Sequence, residues 1–463
     1  SLKPFILLMA NELTPFGKPM LKHWLFAPSY KNLNNGSFGA HPAAVRDAQR
    51  AFIDQADGRP DPYIRALHAG HLEKARVAVA EVLNAPKDEC VFVKNATTGV
   101  ATVMYNLNFQ SGEAVVYFEP VYGAVEKGIV SLQEHSNLQS RKVHFQFPIT
   151  EDELESRFRE VVRKTREEGL KVRAAVFDTI VSNPGCRFPF ERFIAICREE
   201  GILSVIDGAH GIGQIPLDLN KLQPDFLTDF PQVALHSSQL RRSLCPQTQP
   251  ALHAYHSSHV MGLHLRPLVP ETPRSLLDDP NAVKEKTPFE GLFEFVATSD
   301  DSAYICVPAA LKFRKEVCGG EDAVMSYCIN LAIEAADVVA NILGTDVLQE
   351  PDLKPGEVSN MRQCALATVR LPIAVSDEPV AGAAVTISPN EAPGVFSWIQ
   401  TTLMTEHDTF VPVFRHGPWL WTRLSAQTFL DKSDFEWLGG ILRDLCEQVA
   451  KKEGKWTATL AVH

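Results

Sequence analysis

The 463-residue chain has no CxxC pair, no block of basic residues, no low-complexity tract and no internal repeat. Its nine cysteines are scattered, an odd number without histidine partners in sequence. That excludes a disulfide framework and a zinc site, and predicts reduced thiols in an intracellular protein. Lys and Arg number 45 against 56 Asp and Glu, with both signs mixed along the chain and a net charge of −11. Nucleic acid is therefore not an expected partner. No apolar run approaches the ~20 residues of a membrane span, and Phe5-Ile-Leu-Leu-Met9 is too short for a signal-peptide core. These absences predict a soluble, cytoplasmic protein. Lysine is missing from the whole interval between Lys221 and Lys284. What remains is 45% hydrophobic, enough to fill a large domain and a smaller one.

The most informative stretch is Leu203-Ser-Val-Ile-Asp207-Gly-Ala-His210-Gly. Leu203–Ile206 has the length and apolarity of a buried strand. Phe190, Phe193, Ile194 and Cys197 precede it at helical spacing, with Gly201 placed for a C-cap. The order helix, turn, strand puts Asp207 at the strand's carboxyl end, where open α/β sheets bind ligands. An acidic side chain there can hold a protonated ring nitrogen, and His210 can reach the same ligand. The competing reading is an Asp that caps the following loop.

The same rhythm recurs over roughly residues 85–230. Cys90–Val93 predicts a strand, followed by Lys94-Asn95-Ala96-Thr97-Thr98-Gly99 at a helix start. Free N–H groups, the helix dipole and Thr hydroxyls there favour a phosphate, and plain N-capping by Asn95 or Thr97 is the simpler alternative. Ala114–Phe118 is a strand that delivers Tyr122, an aromatic able to lie on a flat ring. Val143–Phe147 is a short strand, Glu151–Glu168 a charged surface helix, and 173–180 a strand that runs into Ser182-Asn183-Pro184-Gly185. Alternating strands and helices predict a doubly wound, mostly parallel α/β sheet. Upstream, Tyr30–Pro42 (YKNLNNGSFGAHP) reads as a loop. A helix follows to Gln55, Asp57-Gly-Arg-Pro-Asp-Pro62 breaks it, and His71–Leu83 is helical.

Downstream, Pro231–Pro250 (PQVALHSSQLRRSLCPQTQP) has neither helical nor strand period. Phe293–Thr298 is a predicted strand. Tyr304–Glu316 and Glu321–Leu343 are helices, and the pattern then becomes α+β: strands at Cys364–Leu371, Ala384–Ile387 and Leu420–Ser425, and helices at Phe396–Met404 and Asp434–Val449. The expected division is 1–40 as an N-terminal segment with a substrate loop, 41–300 as the large domain, and 301–463 as the small one.

In order, NATTGV, PVYGA, SNPG, DGAHGIGQIPLDL, ATSDDS and TRLSAQ resemble the class V, fold-type I pyridoxal-phosphate enzymes. NLNNGSFG resembles the isopenicillin-N-epimerase-like branch, with the nearest likeness to fungal hercynylcysteine sulfoxide lyases of ergothioneine biosynthesis. The resemblance covers residues from about 15 to 450. It implies pyridoxal 5'-phosphate, a small amino-acid substrate, no metal, and a homodimer with shared active sites. It implies that Asp207 pairs with the pyridinium nitrogen and that His210 lies near the ring. Asn95, Ala96, Thr97 and Thr228 would belong to the cofactor site, with the phosphate on Ala96 and Thr97. Tyr122 would lie over the ring and protonate the leaving sulfur, and Asn183 would contact the ring hydroxyl or the substrate. Thr298 would reach the phosphate of the neighbouring subunit, although Ala297 stands where the family has Gly. Arg423 would clamp the substrate carboxylate, with Asn34 and Ser37 as substrate-loop contacts. The implied reaction is β-elimination from a cysteine-conjugate sulfoxide, hercynylcysteine sulfoxide, to a sulfenate, pyruvate and ammonia.

One departure matters. The family carries Ser/Thr-x-x-His-Lys-Trp, and its lysine forms the Schiff base. Here Thr228-Asp229-Phe230 is followed by Pro231-Gln232-Val233, so Gln232 occupies the lysine's place. With suitable synonymous codons, residues 231–250 read one base on become HKWLFIPRSCAVLYVPKRNQ. That string holds the missing motif and the strand expected after it. We read the stretch as a one-base frameshift. The alternatives are a cysteine-desulfurase-like or epimerase-like enzyme, with Cys364 and Cys318 as the candidate sulfur acceptors, or a catalytically dead homologue.

Overall fold

The computed structural model describes residues 13–229, the backbone of 242–244, and residues 293, 299–354, 356–454 and 456. Thr298, Gln232 and all of the predicted Phe293–Thr298 strand except Phe293 lie outside them.

The large unit is a seven-stranded sheet. Its strands are β1 (Cys90–Phe92), β2 (Glu113–Phe118), β3 (Gln139–Val143), β4 (Lys171–Asp178), β7 (Leu203–Gly208), β8 (Phe226–Asp229) and β9 (Arg242–Leu244), in the order β1-β9-β8-β7-β4-β2-β3. The run β8-β7-β4-β2-β3 is parallel, and β9 lies antiparallel to both β8 and β1. Central strands of such a sheet are buried on both faces, so they read as continuous apolar runs. Ala174, Ala175, Val176 and Phe177 of β4 are all fully buried. The doubly wound α/β fold is as expected. A small hairpin, β5 (Ile180–Val181) with β6 (Cys186–Arg187), projects from the carboxyl end of β4.

The second unit is a four-stranded sheet of β10 (Leu366–Val375), β11 (Val385–Ile387), β12 (Val413–His416) and β13 (Trp419–Ser425), in the order β11-β10-β13-β12. Helices Glu321–Leu343, Ala392–Glu406 and Lys432–Lys451 pack around it. Asp431 caps the last helix in a capping box with Asp434. By length and composition, Glu321–Leu343 is apolar enough to cross a membrane, with a mean hydropathy of 1.5. This corrects the reading that no segment comes near that length. Its Val324, Cys328, Ala332, Ala335, Ala336 and Val339 lie in the second core, which accounts for the apolarity.

Other boundaries moved for identifiable reasons. The strand expected at Val143–Phe147 lies earlier, at Gln139–Val143. An edge strand pairs on one side only and tolerates polar residues, whereas Phe145 and Phe147 leave the ladder and are buried in the core near Phe118. The expected break at 57–62 is a further helical turn, Pro60–Pro62, leading on to His68–Val82; proline suits a helix's first position. Tyr304–Glu316 is two helices, Ser302–Ile305 and Val307–Glu316, divided at Cys306 just before Pro308. The 30–42 loop contains one helical turn, Asn35–Phe38. Cys306, Val307 and Ala310 belong to the first core, past the expected boundary at 300. Met20 and Leu33 of the N-terminal segment belong to the second. The described part of the N-terminal segment is therefore fastened to the small unit, and Gly36 lies against Leu366 of β10 and Ser425 of β13.

Candidate active site

Parallel strands bring their carboxyl ends to one edge. The register sets Asp178 of β4, Asp207 of β7 and Thr228 of β8 in a row across three neighbouring strands. Asp207 is 3% exposed, and its Oδ1 accepts a hydrogen bond from the Ala209 N–H at 3.0 Å. Burial pushes its pKa up to about 6, against the stabilising pull of that N–H. Burial, then the charge of Asp207, raises Asp178 as well. Two adjacent carboxyls in low dielectric do not both ionise. Among the described residues no cationic side chain offsets this burial at either carboxyl. A ligand that carries a protonated ring nitrogen would supply the missing positive charge to Asp207.

The turn after β7 is held from below. Asp229, fully buried, accepts from the Ile212 N–H at 3.0 Å. A Cβ at Gly211 would stand 2.8 Å from Asp229 Oδ2, so the turn can lie this close only as glycine. The turn presents His210, itself buried. Burial and then the charge of Arg423 lower its pKa to about 3. The imidazole is therefore neutral, and its Nδ1 has no hydrogen-bond partner among the described residues.

Beside this row starts helix Ala96–Asn106. Asn95 is its N-cap, its side-chain oxygen accepting from the Thr98 N–H. Asn95 thus shapes the helix start. Ala96 and Thr97 sit in the first turn, whose N–H groups lack intrahelical acceptors and face the positive end of the dipole. Thr228 supports this turn from underneath. A Cβ at Gly99 would come 2.8 Å from Thr228 Cγ2, and the Thr228 hydroxyl donates to the Ile206 carbonyl at 3.4 Å. Tyr122 is the N-cap residue of helix Gly123–His135 and is 50% exposed at the same edge.

Arg423 crosses from the small unit. It lies on β13, opposite Thr368, whose hydroxyl donates to the Gly185 carbonyl at 3.2 Å. Its Nη1 donates to the Ser182 carbonyl at 2.9 Å and to Ser182 Oγ at 3.2 Å. Its Nη2 donates to Asn34 Oδ1 at 3.0 Å and to Ser37 Oγ. Arg423 is 2% exposed, and burial lowers its pKa to about 10. Every partner is neutral, so this buried cation lacks a counter-ion among the described residues, an arrangement that favours an anionic ligand.

Of the residues expected from sequence, Asn34, Ser37 and Arg423 form one hydrogen-bonded group. Asp207, His210, Thr228, Ala96 and Thr97 gather at the adjoining sheet edge. Asn183 is exposed in the turn of the β5–β6 hairpin, and Ser182 takes the contact with Arg423. Sequence reading missed Ser182, Asp178, Asp229, Asn35 and Ser425. Asp178 and Asp229 close β4 and β8; Asp178 was detectable as an acidic residue near the end of the predicted 173–180 strand, whereas no strand was expected at Phe226–Asp229. Ser182, Asn35 and Ser425 carried no signal of their own. Asn35 Nδ2, Thr179 Oγ1, His210 Nδ1, Arg423 Nε and Ser425 Oγ are all buried without partners among the described residues. Buried polar atoms are rarely left unpaired, and these five lie on the segments that build this site.

A family model described as Aminotransferase class-V matches residues 40–229. An L-cysteine desulfhydrase-like protein, lolT1, of Epichloe uncinata is 36% identical over 457 residues, 96% of this chain and 98% of that protein. The hercynylcysteine sulfoxide lyase of Schizosaccharomyces pombe is 26% identical over 439 residues, 94% of this chain and 99% of that protein. Solved structures of the cystine C–S lyase C-DES superpose with a TM-score of 0.64 at 16% identity, covering 92% of this chain and 99% or 98% of theirs. One is a complex with cysteine persulfide, and another is a mutant with glycine covalently linked to its PLP cofactor.

Proposed function

The chain belongs to the aminotransferase class V family of pyridoxal-phosphate enzymes, and from that premise we propose that it is a carbon–sulfur lyase acting on a cysteine-derived substrate, with hercynylcysteine sulfoxide as the specific candidate. The observation that carries this reading is Arg423, a buried cation with only neutral partners, next to the His210 turn and the Asp207 row. The site is built for an α-carboxylate at one end and a protonated aromatic nitrogen at the other.

The described residues fit the cofactor. Asp207 would hold the ring nitrogen, the first turn of helix Ala96–Asn106 the phosphate, and Tyr122 a ring face. When bound, pyridoxal phosphate serves as a sink for the electrons left when the α-proton departs. Buried Asp207 favours that sink by keeping the ring nitrogen protonated. Arg423 fixes the carboxylate and so orients the α-carbon. Neutral His210 packs close without adding a second positive charge to that of Arg423. Elimination then breaks the β-carbon–sulfur bond. The sulfenate takes a proton, for which half-exposed Tyr122 is the candidate donor, and water hydrolyses the remaining three-carbon enamine to pyruvate and ammonia. A homodimer with Thr298 reaching across belongs to the same proposal.

The desulfurase alternative needs an accessible cysteine. Cys364 and Cys318 are both buried, and burial pushes each thiol up to about 11, which makes them poor nucleophiles. The missing lysine remains decisive for turnover. The backbone at 242–244 forms β9, in the interior of the sheet between β1 and β8. Arg-Ser-Leu is an unusual sequence for such a strand; the shifted reading places Val-Leu-Tyr there. The test is pyruvate release by the chain as written and by the chain with 231–250 replaced by HKWLFIPRSCAVLYVPKRNQ. Each receives pyridoxal phosphate and either hercynylcysteine sulfoxide or L-cysteine. Pyruvate from the restored chain alone, with the sulfoxide preferred, supports the whole proposal. Preference for L-cysteine overturns the substrate, and an active chain as written overturns the need for a lysine at the position of Gln232.

A further inference from the structure

Arg423 has five N–H groups, and those of its two terminal nitrogens already face acceptors. Nη1 serves the carbonyl and hydroxyl of Ser182; Nη2 serves Asn34 Oδ1 and Ser37 Oγ. Only Nε has no partner among the described residues. A carboxylate prefers a two-pronged grip on guanidinium, so it must displace something.

The Ser182 side is not easily yielded. Ser182 belongs to the β5–β6 hairpin, and Gly185 of the same turn presses on the Arg423 stem, so that a Cβ there would stand 2.6 Å from both Cγ and Cδ. Thr368 ties down the Gly185 carbonyl from the other side. The 32–38 segment is held differently. The Ser37 hydroxyl donates to Asn34 Oδ1 at 2.8 Å, Asn32 donates to Asn35 Oδ1 at 3.1 Å, and Gly36 rests on Ser425 and Leu366. Its last residue, Phe38, is 81% exposed, so this end of the strap has no apolar anchor among the described residues. Its hold on Nη2 consists of two neutral oxygens, which a carboxylate outcompetes because charge-assisted hydrogen bonds are roughly twice as strong.

We infer that Asn34 and Ser37 are specificity-determining residues that act as internal competitors: they occupy Nη2 of Arg423, and a substrate gains the arginine only if its own group is an anion able to displace them. This rests on the reading of Arg423 as the carboxylate site. It replaces the expectation that Asn34 and Ser37 contact the substrate directly. A neutral amide, no better an acceptor than the Asn34 side chain, gains nothing by the exchange and is rejected.

The two ideas predict opposite signs for one substitution. The test measures dissociation constants of propionate and of its uncharged analogue propionamide by ligand-observed NMR, on the full chain saturated with pyridoxal phosphate. Ser37→Ala removes one competitor and should tighten propionate about tenfold, the worth of a hydrogen bond to a charged group. Asn34→Asp installs a permanent carboxylate against Nη2 and should weaken propionate at least tenfold. Propionamide should bind far more weakly than propionate to the unaltered chain. If Ser37→Ala weakens propionate or leaves it unchanged, while melting as the unaltered chain does, the competitor role is overturned. Arg423→Gln separates this failure from failure of the underlying reading: unchanged propionate affinity there would show that the carboxylate binds elsewhere.

Discussion

Gly185→Ala should damage both stability and ligand binding although it alters no group that could touch the ligand. The added Cβ would lie 2.6 Å from Cγ and Cδ of Arg423 and 3.3 Å from Leu366 Cβ, where carbon atoms prefer roughly 3.5–4.0 Å. Arg423 cannot swing away freely, because both terminal nitrogens are hydrogen-bonded and the side chain is buried. Overpacking of this kind costs about 1–3 kcal/mol. If the hairpin retreats instead, the Nη1 contacts to Ser182 lengthen, and hydrogen bonds to a charged group are worth about 1.5–3 kcal/mol each. The expected loss is therefore about 2–4 kcal/mol in urea unfolding. Misplacing the guanidinium should weaken propionate about tenfold or more, the worth of a hydrogen bond to a charged group. Gly128→Ala is the matched control. It lies inside helix Gly123–His135 with nothing within 4 Å of its Cβ position, so it should stabilise by about 0.5–1 kcal/mol and leave binding alone. A Gly185→Ala chain with unchanged urea midpoint and propionate affinity would refute the packing of the hairpin on Arg423.

Further outcomes follow from the same geometry. The folded-state pKa of Asp207 is raised to about 6, so between about pH 4 and 6 the native chain holds a proton that the unfolded chain has released; the contribution of Asp207 to stability therefore falls as pH rises through that window. His210, lowered to about 3, contributes with the opposite sign, so the pH dependence of unfolding should be read as a difference. Without cofactor, Asp207→Asn should be more stable than the unaltered chain at pH 7, with the advantage shrinking towards pH 4, while its affinity for pyridoxal phosphate falls. Lower stability at pH 7 without cofactor would contradict the unpaired burial of Asp207. Asn95→Ala should cost about 0.5–2 kcal/mol in urea unfolding through loss of the cap, and an unchanged midpoint would count against its capping role. Gly99→Ala should drive the phosphate turn off Thr228 and weaken inorganic phosphate binding by calorimetry; equal affinity would show that the turn does not depend on that close approach.

Local physics settled much in advance. Short apolar runs ending in small or acidic residues, alternating with helical spacing, read as buried parallel strands, so the α/β sheet and its row of strand ends were legible, and Asp207 with them. Helical spacing placed Phe190–Glu200 and Glu321–Leu343 almost to the residue, because those faces had a core to bury. Parallel strands share one direction, so the sequence alone also implied that Asn95, Tyr122, Asn183 and Asp207 would meet at one edge. It could not give what depends on register or on distant segments. That Asp178 stands beside Asp207 follows from how β4 and β7 align. That Ser182 rather than Asn183 meets Arg423 follows from the fold of a four-residue turn. That Asn34 and Ser37 hold the arginine, 389 and 386 positions away along the chain, follows from the N-terminal segment packing into the second core. A hydrogen bond between such remote residues leaves no periodicity, composition or spacing in sequence, and only the closing of one unit on the other brings its two ends together.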